Sequence, residues 1–222
     1  VFVSDKGIIA EKYKDVLLKE NILFEEKKHT KEQILNADLI VKSPGIPDGV
    51  PLIIELRNQG TPVVSEIEFA SWYTNATLIG ITGSNGKTTT TSLTYHILKN
   101  AGLNVGIAGN IGKSFALQVA KCNYDYYVLE LSSFQLDGIK DLKLAVSILL
   151  NITPDHLDRY ENNLDKYIDS KFNIIRNFDE KTVFIYNSDD DNITKKISDI
   201  TLPKFSYPFS FSELESKGAR VE

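Results

Sequence analysis

Along the chain, short apolar runs alternate with stretches in which apolar residues recur at the spacing of a helix face. The runs at 1–4, 39–42, 62–65, 78–82, 105–108, 126–131, 146–151 and 183–186 read as buried strands. The intervening stretches 10–21, 31–36, 52–58, 88–101, 113–121 and 164–177 carry the helical period. Gly60 and Gly102 fall just past two of these helices, where a positive φ costs a glycine little. Such alternation predicts an α/β fold with mainly parallel sheets. A boundary is expected near residues 73–77, separating a smaller unit, 1–75, with three visible strands, from a larger one, 76–222. The last stretch, 202–222, reads as strand and loop of the second unit.

Composition narrows the class without naming a chemistry. At 222 residues the chain suits one large or two modest domains. Its net charge of −5, with scattered acids, argues against non-specific nucleic-acid binding. No run approaches the roughly 18 apolar residues of a membrane span, and no secretion signal opens the chain. The single cysteine, Cys122, excludes an intrachain disulfide and fits a reducing compartment, so a cytoplasmic location is expected. No methionine occurs, which leads us to expect that the chain's natural start lies upstream.

The most informative segment runs from Leu78 to Thr89. An apolar strand enters a turn containing Gly83, Ser84, Asn85 and Gly86, then Lys87, Thr88 and Thr89, then a helix with Leu93, Ile97 and Leu98. Glycines let backbone N–H groups approach an anion closely, and the helix N-terminus adds the positive end of its dipole. Lys87 would reach the β- and γ-phosphates of ATP, and the Thr88 hydroxyl would ligate Mg²⁺. The spacing departs from the strict phosphate-loop pattern, which has glycine where Ile81 stands.

Three further strand ends carry polar groups. Glu130 closes the run 126–129 and is followed by Leu131, Ser132, Ser133, Phe134 and Gln135. Asn110 ends the strand at 105–108, and His156 lies in the polar loop after 146–151. Ligands of open α/β sheets bind beyond the carboxyl ends of the strands. A carboxylate there suits Mg²⁺, which takes one or two carboxylates and completes its shell with phosphate oxygens and water. Taken singly, Glu130 reads as an exposed strand-end acid and a lone histidine such as His156 as structural; together the groups at this edge read as one site.

The Gly83–Thr88 turn, the Glu130-Leu131-Ser132-Ser133-Phe134-Gln135-Leu136 run and the Asp155-His156-Leu157-Asp158-Arg159-Tyr160 run, in this order, resemble the Mur ligases. The Ser-Ser-Phe-Gln-Leu sequence resembles the D-glutamate-adding branch. The resemblance implies a small, incomplete Rossmann-like domain followed by a phosphate-loop NTPase-like central domain. It implies an ATP-dependent amide ligase that phosphorylates the carboxylate of UDP-N-acetylmuramoyl-L-alanine and couples it to D-glutamate. It implies two Mg²⁺ ions, with Lys87, His156 and Lys171 as catalytic residues. The implied metal ligands are Thr88, Glu130, His156 and, once carbamylated, Lys171. Asp5, Ser43, Pro44, Gly45, Asn110, Ser132 and Gln135 fall on the substrate side. Asn187-Ser188-Asp189-Asp190 resembles a family turn and reads equally well as a plain polar turn. The family's first strand and glycine-rich loop are expected before Val1, its third domain after Glu222, and the parent protein is expected to be a monomer. Another ligase of this chemistry with a different acceptor, or a non-catalytic ATP-binding module, stays open at this point.

Overall fold

The computed structural model describes residues 1–211 and 218–220. The chain forms two compact units, Val1–Ile40 with Asp48–Val63, and Val41–Pro47 with Val64–Glu222. In chain order the elements start with β1 (Phe2–Ser4), α1 (Glu11–Lys19), β2 (Leu23–Glu25), α2 (Lys31–Leu35), β3 (Ile40–Lys42), α3 (Pro51–Asn58), β4 (Val63–Ser65) and α4 (Glu66–Ser71). They continue with β5 (Thr77–Thr82), α5 (Lys87–Asn100), β6 (Val105–Gly109), α6 (Phe115–Lys121), β7 (Tyr126–Glu130), α7 (Ser133–Leu136) and β8 (Val146–Leu149). A 3₁₀ turn (Leu157–Tyr160), α8 (Leu164–Phe172), a second 3₁₀ turn (Asn173–Ile175), β9 (Val183–Asn187), α9 (Asp191–Ser198), β10 (Phe205–Ser210) and β11 (Ala219–Arg220) complete the described chain.

In the first unit β1 pairs with β2 in parallel. Their carboxyl ends meet at a buried carboxylate. Glu25 accepts hydrogen bonds from the Ser4 hydroxyl at 2.7 Å and from the Thr30 N–H at 2.7 Å and hydroxyl at 2.5 Å. Burial pushes this carboxyl up, but the Thr30 and Ser4 bonds and the Lys28 charge outweigh it and hold the group at about 2. The β2 strand, three residues long, is absent from the apolar runs because only Leu23 and Phe24 mark it.

The second unit is built on a sheet ordered β11-β10-β9-β8-β5-β7-β6, with every neighbouring pair parallel. Leu78 joins one apolar layer with Tyr127, Leu129, Leu149 and Phe184, while Ile79 and Ile81 join Val105 and Val128 in the opposite layer beside α5. Successive residues of a strand face opposite sides, so helices cover both faces and the strands read as continuous apolar runs. Strand order reverses at β5: the chain runs out to β6, returns to β7, and then crosses to β8 on the far side. The loops after β5, β7 and β8 therefore share one edge, at a switch point of the topology. Among the described residues no helix is long and apolar enough to cross a membrane.

Several elements differ from the expectations above. The stretch 164–177 stops as an α-helix at Phe172 and tightens into a 3₁₀ turn. There the buried Ser147 hydroxyl of β8 donates to the Ile174 carbonyl at 2.9 Å, giving that oxygen a partner outside the helix. The helices α4, α7 and α9 were not among the periodic stretches. Of 202–222, 205–210 and 219–220 are strand, whereas 212–217 and 221–222 lie outside the described residues.

One side chain of helix α4 ties it to the segment at 140–142. Glu68 is fully buried; its carboxylate accepts from the Trp72 indole at 2.9 Å and from the backbone N–H groups of Lys140, Asp141 and Leu142 at 2.9, 2.9 and 3.0 Å. Glu68→Ala leaves those donors without their shared acceptor. It is expected to cost about 3 kcal/mol or more of unfolding free energy, because each orphaned buried donor costs roughly 1–3 kcal/mol. Denaturant titration checks this, and a change below about 1 kcal/mol would contradict the clamp.

Candidate active site

The turn after β5 bends at two glycines. Gly86 adopts φ +80° and caps α5 without any side-chain hydrogen bond, so the first N–H groups of a 14-residue helix have no capping side chain. A Cβ on Gly83 would meet the Leu150 Cβ at 3.0 Å and the Asn151 nitrogen at 3.3 Å, which explains glycine on that side of the turn. Lys87 folds back over the turn; its Nζ donates to the Gly83 and Ser84 carbonyls, both at 2.8 Å.

The segment after β8 braces this turn. The Ser84 N–H donates to the Asn151 carbonyl at 2.9 Å, and the Asn85 N–H to Asn151 Oδ1 at 2.8 Å. The Ser84 hydroxyl donates to the Thr153 carbonyl at 2.8 Å and accepts from the Thr153 N–H at 3.0 Å. It also lies 3.0 Å from the Tyr167 hydroxyl of α8.

At the end of β7, Glu130 is 2 % exposed. Its Oε2 accepts from the Thr88 hydroxyl at 2.7 Å and its Oε1 from the Asn110 amide at 2.7 Å. Gly109, at φ +96°, lets the chain pass so close to β7 that a Cβ there would strike the Glu130 carbonyl. The Asn110 N–H bonds that same carbonyl at 2.9 Å. Among the described residues Glu130 forms no ion pair. A buried carboxylate with only neutral donors, beside a threonine hydroxyl, is a hard-oxygen pair suited to Mg²⁺. Among the described residues no three His, Cys, Asp or Glu side chains cluster as a metal cage, so other oxygens would have to fill out the shell.

Lys171 projects from α8 into the underside of the turn. It is 1 % exposed, donates to the Gly83 carbonyl at 2.9 Å and lies 4.7 Å from the Tyr167 ring centroid. Burial and then the Lys87 charge push its ammonium down to about 7, against the pull of Asp155 and Asp137. Lys87 and Lys171 thus share one carbonyl.

His156 stands apart from these contacts. It is exposed, in a left-handed conformation at φ +50°, with its ring 5.4 Å from Phe134 and its Nε2 3.6 Å from Asp155. The Arg159 guanidinium lies 4.4 Å from the same Phe134 ring and donates to the Pro44 and Gly45 carbonyls at 3.2 and 3.3 Å. Ser132 and Gln135 engage each other in a capping box that starts α7. Ser43 belongs to the turn closed by the Ile46 N–H on its carbonyl at 3.0 Å. Thr89 is exposed on the first turn of α5, and Asp5 accepts from the Gly7 N–H at 2.7 Å within the first unit. A hollow of about 440 Å³, lined by Tyr73, Cys122 and Tyr126 among others, opens at the opposite edge of β5 and β7.

Residues 81–220 match the Mur ligase middle domain, and residues 1–50 match the MurD N-terminal domain. The chain belongs to the Mur ligase family. This Mur ligase chain is 56 % identical over 221 residues to the UDP-N-acetylmuramoylalanine--D-glutamate ligase of Bacteroides fragilis, covering 100 % of itself and 50 % of that protein. It therefore spans about half the length of the curated relatives it matches. Its fold is similar to that of a Neisseria UDP-N-acetylmuramate:L-alanyl-gamma-D-glutamyl-meso-diaminopimelate ligase. The TM-score is 0.61 at 18 % identity, over 93 % of this chain and 69 % of the other. The MurF ligase of Thermotoga maritima, solved in complex with ADP, matches at TM-score 0.53 and 19 % identity, over 81 % and 52 % of the two chains. The bracing residues Asn151, Thr153 and Tyr167 of the Mur ligase chain were not singled out by sequence. The signal was the polar Asn151 and Thr153 flanking Ile152 at the end of the 146–151 run, on the way to His156.

Proposed function

We propose that the intact protein is a cytoplasmic, monomeric ligase that uses ATP to join D-glutamate to UDP-N-acetylmuramoyl-L-alanine during peptidoglycan synthesis. The observation that carries the reading is the convergence of Lys87, Thr88, Glu130 and Lys171 around one turn at the switch point of the parallel sheet. The name of the Bacteroides relative supplies the acceptor and donor; the ADP in the Thermotoga neighbour agrees with a nucleotide in the second unit. We assign the ATP to Gly83–Thr89; Asp5 in the first unit and, separately, the turn at Ser43, Pro44 and Gly45 are proposed as substrate contacts. The division 1–75 and 76–222 is part of this proposal as a functional partition, drawn differently from the compact units Val1–Ile40 with Asp48–Val63 and Val41–Pro47 with Val64–Glu222. Asn110, and the backbone fixed by Ser132 and Gln135, lie on the muramoyl side.

The chemistry requires a carboxylate oxygen to attack the γ-phosphorus, with ADP leaving. The D-glutamate amine then attacks the acyl carbon, loses a proton, and phosphate departs. Both first reactants are anions, so the site must offset their repulsion. Lys87 contributes a cation at the turn, and the α5 N–H groups contribute the helix dipole. Bound Mg²⁺, two ions in our reading, would supply Lewis-acid charge beside Thr88, Glu130 and His156. A carbamylated Lys171 would convert a buried cation into an oxygen donor. It forms when the neutral amine nitrogen attacks CO₂ and releases a proton. The test is phosphate release by the intact protein with ATP, Mg²⁺, the muramoyl-alanine nucleotide and D-glutamate. Release is expected only with all components present. Release without D-glutamate, or equal release with other amino acids, would overturn the assignment.

A further inference from the structure

Among the described residues the turn at Asn187–Asp190 makes no hydrogen bond to the phosphate turn, yet it holds the segment that does. Asp190 Oδ1 caps α9, accepting from the Asn192 and Ile193 N–H groups at 3.0 and 3.1 Å. Its other oxygen accepts from the Ile152 N–H at 2.7 Å. The Asn192 amide donates to the Ile152 carbonyl at 2.8 Å, so both backbone polar groups of Ile152 are gripped from the start of α9. Ile152 lies between Asn151 and Thr153, whose bonds to Ser84 and Asn85 shape the phosphate turn. The Ile152 side chain is 1 % exposed and packs in the main core, so the segment cannot drift without disturbing that layer.

We infer that Asp190 and Asn192 are positioning residues that set nucleotide affinity by holding residues 151–153 against the phosphate turn. The inference rests on the proposed ATP site. A plain polar turn would leave Asp190 in solvent or capping α9 only. Here one carboxylate does both, and only an acid can: each of its oxygens must accept, one from the helix and one from Ile152.

That chemistry gives a selective variant. Asparagine is as good an N-cap as aspartate, so Asp190→Asn keeps the α9 cap through its carbonyl oxygen. Its amide then faces the Ile152 N–H, donor against donor. In the intact, nucleotide-free protein we expect the Ser84 and Asn85 amides to exchange with deuterium about tenfold faster. ATP should bind about tenfold more weakly, the scale of one lost buried hydrogen bond. The thermal midpoint should fall by only a few degrees, the scale of that one bond, and the affinity for the muramoyl-alanine nucleotide should stay near wild type. Asp191→Asn, one residue on, should change none of these. Should Asp190→Asn fail to fold, Asn192→Ala, which removes the other grip without touching the cap, carries the same expectation. Unchanged exchange at Ser84 and Asn85, or faster exchange with unaltered ATP affinity, would overturn the inference. So would a fall in thermal midpoint with exchange confined to α9, which marks a merely structural role. A wild-type protein that binds no ATP would instead sink the proposed function, while the exchange arm still decides the brace.

Discussion

Lys87→Ala is expected to lower phosphate release by about a thousandfold or more while leaving the fold intact. A single electrostatic stabiliser of a transition state is worth about 10²–10³ in rate, and Lys87 serves a group that carries several negative charges. Its side chain is half-buried, and among the described residues its hydrogen bonds go to the carbonyls of its own turn. Removal creates no core cavity, and those carbonyls stay within reach of Lys171 or water. Activity and stability should therefore separate: turnover collapses and the thermal midpoint moves by a few degrees at most. Turnover within about tenfold of wild type would contradict the role of the turn.

Lys171→Met carries the second large effect, and it has two signs. Turnover is expected to fall by at least about a hundredfold, the scale of losing one charge-stabilising group. Stability below neutral pH is expected to rise. The folded-state ammonium sits at about 7 against an ordinary 10.5. Between those values the unfolded chain binds more protons than the native one, so wild-type stability climbs with pH across that window. Below about 7 both states are charged, and the native state bears the full cost of burying the cation. Methionine removes that cost, so its advantage should be greatest near pH 6 and shrink towards pH 10. The same depression raises the share of neutral amine near neutral pH, the form that can add CO₂. Wild-type turnover in CO₂-depleted buffer should therefore drop and recover with bicarbonate. Denaturant midpoints at several pH values and rates with and without bicarbonate check both halves. A variant that is less stable at pH 6, or fully active, would contradict them.

The larger architecture was legible because buried parallel strands leave uninterrupted apolar runs and each helix that crosses a sheet leaves a stripe. Residues 78–82 and 126–131 announce β5 and β7 in this way, and the turn between strand and helix at Gly83–Thr88 announces itself. The shorter elements left too little pattern. Helix α7 has four residues, fewer than two turns, and its Ser132/Gln135 capping box reads in sequence as part of a motif. Helix α9 carried readable signals: an aspartate cap at Asp190 and Ile193 and Ile197 on one face. Four consecutive polar residues before it drew the reading towards a turn.

Glu130, Thr88 and Asn110 could be placed at one sheet edge from sequence because each ends or follows a strand. What could not be read was which atoms meet. The pairing of Lys87 with Lys171 at the Gly83 carbonyl joins residues 84 positions apart in sequence, and burial that depresses one ammonium leaves no local trace. Glu68 was missed for the same reason. An isolated glutamate on a short helix looks solvated until the chain at 140–142 folds over it.

The central claim is that one turn and one carboxylate gather a triphosphate and its metal. Crystals of the intact protein grown with Mg²⁺ and a non-hydrolysable ATP analogue test it directly. The β- and γ-phosphates should lie in the Gly83–Thr88 turn within hydrogen-bond distance of Lys87 Nζ, with a Mg²⁺ ion on oxygens of Thr88 or Glu130. Phosphates bound on another surface, or a metal touching neither side chain, would contradict it.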